Sequence, residues 1–157
     1  MAVKLSSKVA ALVVVALAAL GAASCSRSPH MSLEEMPVPP GARMGVSEGA
    51  YEVKIDGVTA EVRRALAEKY GPLEVALYTL APDAEWKDVS AFYETHLAAR
   101  GFKRDTGFPA EHASHKLAVL ADESWFGKSA VAVAFIEAGQ TADGVPLKFL
   151  AVFVTKD

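Results

Sequence analysis

The chain of 157 residues holds one cysteine, Cys25, so no internal disulfide can form. A domain made from it must stand on its hydrophobic core alone. Aromatic residues make up only 8%, so aliphatic side chains carry most of that core. Basic residues do not outnumber acidic ones, 16 against 19. That balance lacks the positive surface that a phosphate backbone requires, and it excludes nucleic acid as a natural partner. There is no Gly-rich phosphate loop, no HExxH and no G-x-S-x-G elbow, so the chain is read as non-enzymatic and no cofactor is implied. No apolar run is long enough to span a bilayer. The longest, Val9–Leu20, has 12 residues and would reach roughly 18 Å as a helix, against about 30 Å of hydrocarbon.

What is present at the N-terminus has a different use. Residues 1–8 are short and basic, with Lys4 and Lys8. The apolar run follows, and then the small residues Gly21, Ala22, Ala23 and Ser24 lead to Cys25. These are the proportions of an export signal. Without Lys4 and Lys8 the 16 basic residues fall to 14 against 19 acidic, a net charge of −5 rather than −3. Such a body is not drawn flat onto anionic lipid by charge.

Ala22-Ala23-Ser24-Cys25 resembles the cleavage motif of bacterial lipoprotein precursors of the signal-peptidase-II class, departing from it at Ala22, where leucine is usual. The resemblance implies a diacylglycerol thioether on the Cys25 sulfur, cleavage before it, and further acylation (palmitate or a similar chain) of the freed amine. Two or three such chains anchor firmly, because each buried CH₂ contributes roughly 0.8 kcal/mol. Ser26, in place of an aspartate, implies the outer membrane if the source is Gram-negative. The expected partners are the lipid bilayer, through acylated Cys25, and an envelope protein. The alternative is a periplasmic domain that binds a small ligand or a metal.

Three segments follow: a signal peptide (1–24), the lipidated cysteine with a Pro/Gly-rich tether (25–50), and a globular domain (51–157). Pro29, Pro37, Pro39, Pro40, Gly41, Gly45 and Gly49 give the tether its linker composition. It reads either as a spacer, or with Met36–Ala42 packed on the domain as an ordered lead-in strand.

Within the domain, Tyr51, Val53 and Ile55 alternate with charged residues and predict a strand. Asp56-Gly57 then predicts a turn, and Thr59 a cap for a helix to about Tyr70. Leu73–Thr79 predicts a strand. Asp83 is placed to cap a helix over about 84–100, with Trp86, Val89, Phe92, Tyr93, His96 and Leu97 on its apolar stripe. Phe102–Asp105 predicts a short strand. Residues 109–125 fit either a helix or a short strand at Leu117–Leu120. Residues 130–137 and 147–155 predict a hairpin, and the last strand, apolar on both faces, belongs at a centre covered on both sides. The predicted fold is α+β: a mainly antiparallel sheet of four or five strands with two or three helices on one face, and the first βαβ unit able to add a parallel pair.

Pro39-Pro40-Gly41-Ala42, and Phe92-Tyr93 followed by Leu97 and Gly101-Phe102, resemble a module of small, functionally uncharacterised bacterial lipoproteins. The resemblance implies a fold and no activity.

Of the four histidines, only Glu111-His112-x-x-His115 has metal-like spacing. On a helix His112 and His115 would share a face, with Glu111 or Asp122 as a third ligand. Two histidines do not meet the ligand count, so the pair is read as a solvated face and no metal is assigned. His96 is read as a packed or boundary histidine, and Trp125-Phe126 as a core plug rather than a ligand pocket.

Overall fold

A computed structural model describes residues 31–46, 51–124 and 127–156. Cys25, His30, the signal segment and Trp125-Phe126 lie outside the described residues. After a 3₁₀ turn at Leu33–Glu35 come β1 (Arg43–Met44), α1 (Glu52–Tyr70), β2 (Leu73–Thr79), α2 (Trp86–Ala98), β3 (Lys103–Arg104), β4 (Lys116–Ser124), β5 (Gly127–Gln140) and β6 (Pro146–Thr155). The strands form one sheet in the order β1-β2-β6-β5-β4-β3, antiparallel at every pairing. The class is therefore α+β, with six strands rather than four or five. The strand not expected is the two-residue edge β1, while β3 falls within the short strand predicted over Phe102–Asp105. No parallel pair forms from the first βαβ unit, because residues 52–55, its expected first strand, belong to α1 and β1 pairs antiparallel to β2.

β6 lies between β2 and β5, as its two apolar faces require. On one face Phe149, Ala151 and Phe153 pack with Leu117, Val119, Ala130, Ala132, Ala134 and Ile136 under α1. On the other, Leu150, Val152 and Val154 pack with Ala118, Leu120, Val131, Val133 and Phe135 under α2. The helices thus cover opposite faces, which corrects the expectation of helices on one face. A sheet whose central strands are apolar on both sides cannot leave either side wet, since each Val-, Leu- or Phe-sized side chain contributes about 1.5–3 kcal/mol on burial.

Residues 51–57 are helical, not a strand and turn. Ile55, Val58, Val62, Leu66 and Tyr70 are buried at spacings of three and four. Val53, which completed the apparent alternation, is 83% exposed. Thr59 lies inside α1 rather than at its start, and its buried hydroxyl has no hydrogen-bond partner among the described residues. The helix stops where expected: Gly71 adopts φ +80°, its N–H donates to the Ala67 carbonyl at 2.9 Å, and Pro72 follows.

α2 begins two residues later than Asp83 would set it, with Glu85 at the N-cap position. It ends on paired bonds from the Phe102 N–H to the Leu97 carbonyl (3.1 Å) and from the Gly101 N–H to the Ala98 carbonyl (3.0 Å). Gly101 has φ +91°. This is a Schellman closure with its apolar clasp, as Leu97 and Phe102 are both buried in the same cluster. It accounts physically for the Leu97…Gly101-Phe102 pattern. The ambiguous stretch resolves as a strand, β4, preceded by a tight loop.

The segment 31–46 is part of the packed body. Met31 is 0% and Met36 5% exposed, both in the core beneath α2. Pro39-Pro40-Gly41-Ala42 makes a turn closed by the Ala42 N–H on the Pro39 carbonyl at 3.1 Å. Proline at the second position and Gly41 at φ +77° give it type II character. The turn delivers Arg43 and Met44 opposite Thr79 and Tyr78. The folded body therefore reaches back to Met31, upstream of the boundary at residue 51.

Candidate functional site

Two polar clusters border α1. The first lies at the C-terminal end of that helix. Tyr70, on its buried stripe, donates its hydroxyl to the Asp105 carboxylate. Lys69 donates to the same oxygen at 2.7 Å, and the Gly107 N–H donates to the other at 3.0 Å. Lys69 also lies 3.4 Å from Glu123. Burial pushes the Asp105 carboxyl up, but the bonds from Lys69, Tyr70 and Gly107 outweigh it and leave the group below its ordinary 3.8. Burial and then Asp105 push the Tyr70 phenol up to about 12. With its acceptors filled from three directions, Asp105 acts as a latch between α1 and the β3–β4 segment. Beside it an open cleft of about 470 Å³ is lined by Lys69, Lys103, Arg104, Asp122 and Glu123 among others. Its positive and negative groups are mixed, so it presents no single-sign surface to a ligand.

The second cluster is built on the loop before β4. The Leu117 N–H donates to the Ala110 carbonyl at 2.8 Å and the His112 N–H to the His115 carbonyl at 2.9 Å, with Glu111 bridged to Lys116. This is a miniature hairpin with Ala113-Ser114 at its tip. Residues directly opposite in an antiparallel pair project to the same side, which places His112 against His115. Their rings stack with centroids 4.4 Å apart and planes 7° apart. The sequence spacing thus brings the histidines together, by cross-strand pairing rather than on the helix face expected for them.

His115 shares the parity of Leu117, Val119 and Ala121, so it faces α1. There it meets Glu61. One ligand-competent atom from each of Glu61, His112 and His115 lies within 4.8 Å of the other two. Glu61 was not a candidate from the sequence: it is an exposed position of α1, far along the chain from the hairpin. Glu111 is exposed and stays outside this cluster, and Asp122 lines the cleft by Lys69 instead.

The hydrogen bonds define which nitrogens are free. His112 Nε2 lies 3.1 Å from the Pro109 carbonyl, which only accepts, so Nε2 carries the proton and Nδ1 keeps its lone pair. His115 Nδ1 lies 2.9 Å from Ser114 Oγ. His115 Nε2 is buried without a partner among the described residues, in a side chain only 5% exposed. Burial first, then His112, hold the His115 imidazole below its ordinary 6.5, with Glu61 pulling the other way.

His96 is exposed rather than packed inside. Its Nδ1 lies 2.7 Å from the Phe92 carbonyl one turn back, and its ring lies 4.2 Å from that of Phe92, a boundary position with no acid or nucleophile joined to it. Comparison with protein-family models, curated proteins and solved structures finds no match for this chain.

Proposed function

We propose that the chain is a lipid-anchored envelope protein: exported, cut before Cys25, acylated on that sulfur, and presenting residues 31–157 as a non-enzymatic binding or accessory domain. The observation that carries this reading is the placement of the one thiol directly after a basic start, a 12-residue apolar run and a stretch of small residues. No helix among the described residues is long and apolar enough to cross a membrane. The outer membrane, with the domain facing the periplasm, is the proposed location for a Gram-negative source, and an envelope protein the proposed partner.

The packing of Met31 sharpens the proposal. Only Ser26–His30 separate Cys25 from a residue sealed in the core. At about 3.3–3.6 Å per residue this leash spans at most roughly 20 Å, so the domain rides against the membrane surface rather than on a long spacer. Fractionation and intact-mass measurement of the full chain in a bacterial host test the proposal. The expected mass lacks residues 1–24 and carries two or three acyl chains, and Cys25→Ser leaves a full-length, unacylated chain that still carries its apolar run. Unchanged processing of Cys25→Ser would remove the proposal.

A further inference from the structure

We propose that Glu61, His112 and His115 bind a divalent transition-metal ion of the zinc class, with two imidazole nitrogens and one carboxylate oxygen as ligands. Zn²⁺ takes nitrogen ligands at about 2.0–2.1 Å and carboxylate oxygen at about 2.0–2.2 Å. Tetrahedral ligand atoms around it lie roughly 3.3 Å from one another. Three donors already gathered within 4.8 Å reach that spacing by small motions of the side chains best able to move: exposed Glu61 and half-buried His112.

Three independent features point to a cation at this place. His115 Nε2 is a buried polar atom with no partner among the described residues, and leaving such an atom unsatisfied is costly. Metal-bound histidines usually donate their other ring N–H to a carbonyl, carboxylate or similar acceptor, which fixes ring and tautomer. Both rings have that support in advance, His112 from the Pro109 carbonyl and His115 from Ser114 Oγ. Finally, the hairpin pairing and the parity of β4 hold the rings on the side where α1 supplies the carboxylate. The sequence alone offered two ligands; the fold supplies the third.

The donor set selects the ion. Ca²⁺ and Mg²⁺ need six or more oxygen ligands, or several retained waters, and one carboxylate beside two imidazoles does not suit them. Imidazole suits Zn²⁺, Cu²⁺ and Ni²⁺, with Cu²⁺ the tightest. Two histidines and one glutamate leave a fourth position for water or a side chain from a partner. The adjoining small cleft, about 140 Å³, also carries Lys54 and Lys116. Lys54 donates to the Glu137 carbonyl.

Calorimetry with ZnCl₂ on the detergent-solubilised full chain in a Cys25→Ser background tests the site without a competing thiol. Its outcome is separate from acylation, which intact mass reads. One Zn²⁺ per chain is expected, with a rise in melting temperature on addition of the metal. His112→Ala should weaken binding by about tenfold or more and Glu61→Gln by several-fold, with Mg²⁺ and Ca²⁺ giving no heat. Both side chains are at least partly exposed, so the metal-free melting temperature should hardly move, which separates lost ligation from lost folding. Absence of Zn²⁺ heat in the parent, or binding unchanged in His112→Ala, overturns the site. Loss in His112→Ala with Glu61→Gln unchanged overturns the three-ligand set.

Discussion

On the α1 face of the sheet the floor holds five alanines, Ala121, Ala130, Ala132, Ala134 and Ala151, beneath the helix among the larger Leu117, Val119, Ile136, Phe149 and Phe153. On the α2 face it is mainly Leu120, Val131, Val133, Phe135, Leu150, Val152 and Val154. Small residues let a helix backbone approach closely, and α1, with 19 residues, lies along that floor for roughly 28 Å. Its flanks then reach the loops on either side, and both polar clusters arise there: Glu61 against the histidine hairpin, and Lys69 with Tyr70 against Asp105. The α2 face is filled by bulk, and its helix has only 13 residues. What α2 leaves open, Met31, Met36 and Leu33 cover. One face is thus closed by a long helix with chemistry at its margins, and the other by a short helix completed by the segment next to the anchor.

That contrast makes the methionines the most sensitive place to test it. Met31→Ala and Met36→Ala should each cost about 2–5 kcal/mol in denaturant unfolding, as buried large-to-small changes do. If residues 31–46 were a mere spacer, each change would stay within about 0.5 kcal/mol, and the two faces would no longer differ in how they are closed.

The latch on the α1 face comes next in size. Asp105→Asn keeps the shape but removes the charge that strengthens the bonds from Tyr70 and Lys69, and should cost about 1–2 kcal/mol at neutral pH. Most of this belongs to Tyr70 and the Gly107 amide, since Lys69 is half-exposed and its pair is screened by solvent. The folded-state pKa of Asp105 lies below its ordinary 3.8. The contribution is therefore fully present above pH 4 or so, and is lost as the pH falls through the folded-state value, because the unfolded chain takes up the proton first. The Tyr70 phenol moves the other way. Its stabilisation holds below its ordinary 10.0 and is lost as the pH rises through about 12. The gap between parent and Asp105→Asn in urea midpoints should close in acid; a gap that persists at pH 2 would show that packing, and not charge, makes the latch.

Much of this architecture could be read from pattern, and the failures have identifiable causes. β2, β5, β6 and α2 each carry one strong period, and the doubly apolar β6 announced its central place. Residues 51–57 misled because Tyr51, Val53 and Ile55 satisfy a period of two by accident. The longer series Ile55, Val58, Val62, Leu66 and Tyr70 satisfies the helical period over five positions and wins once tertiary burial is available. Gly57 sits mid-helix at a cost of about 1 kcal/mol relative to alanine, a local conflict that the packed stripe overrides. The tether stayed open between a spacer and a packed lead-in because Pro and Gly mark a turn as readily as a linker, and the type II turn at Pro39–Ala42 uses both. At the candidate site the histidine pair was visible from spacing, but its geometry came from a hairpin. Glu61 was invisible, because nothing local distinguishes one exposed carboxylate on a helix from the others until β4 fixes which of them faces the hairpin.

The smallest effect separates the faces most finely. Tyr93, on the inner face of α2, is fully buried, and its hydroxyl has no hydrogen-bond partner among the described residues. Burial and then Tyr78 push its phenol well above the ordinary 10.0, so the group stays neutral at any physiological pH. Its ring belongs to the core and its edge meets Phe92, with centroids 5.2 Å apart, but its oxygen gains nothing from burial. Tyr93→Phe keeps the ring and removes the unsatisfied group, and should leave stability unchanged or raise it by up to about 1 kcal/mol. On the α1 face the same change at Tyr70 removes a donor to a part-buried carboxylate and should destabilise. Thermal melts of Tyr93→Phe and Tyr70→Phe should therefore move in opposite directions, or the first not at all. A parallel loss in both would mean that the α2 face also holds a polar contact, and that apolar bulk alone does not close it.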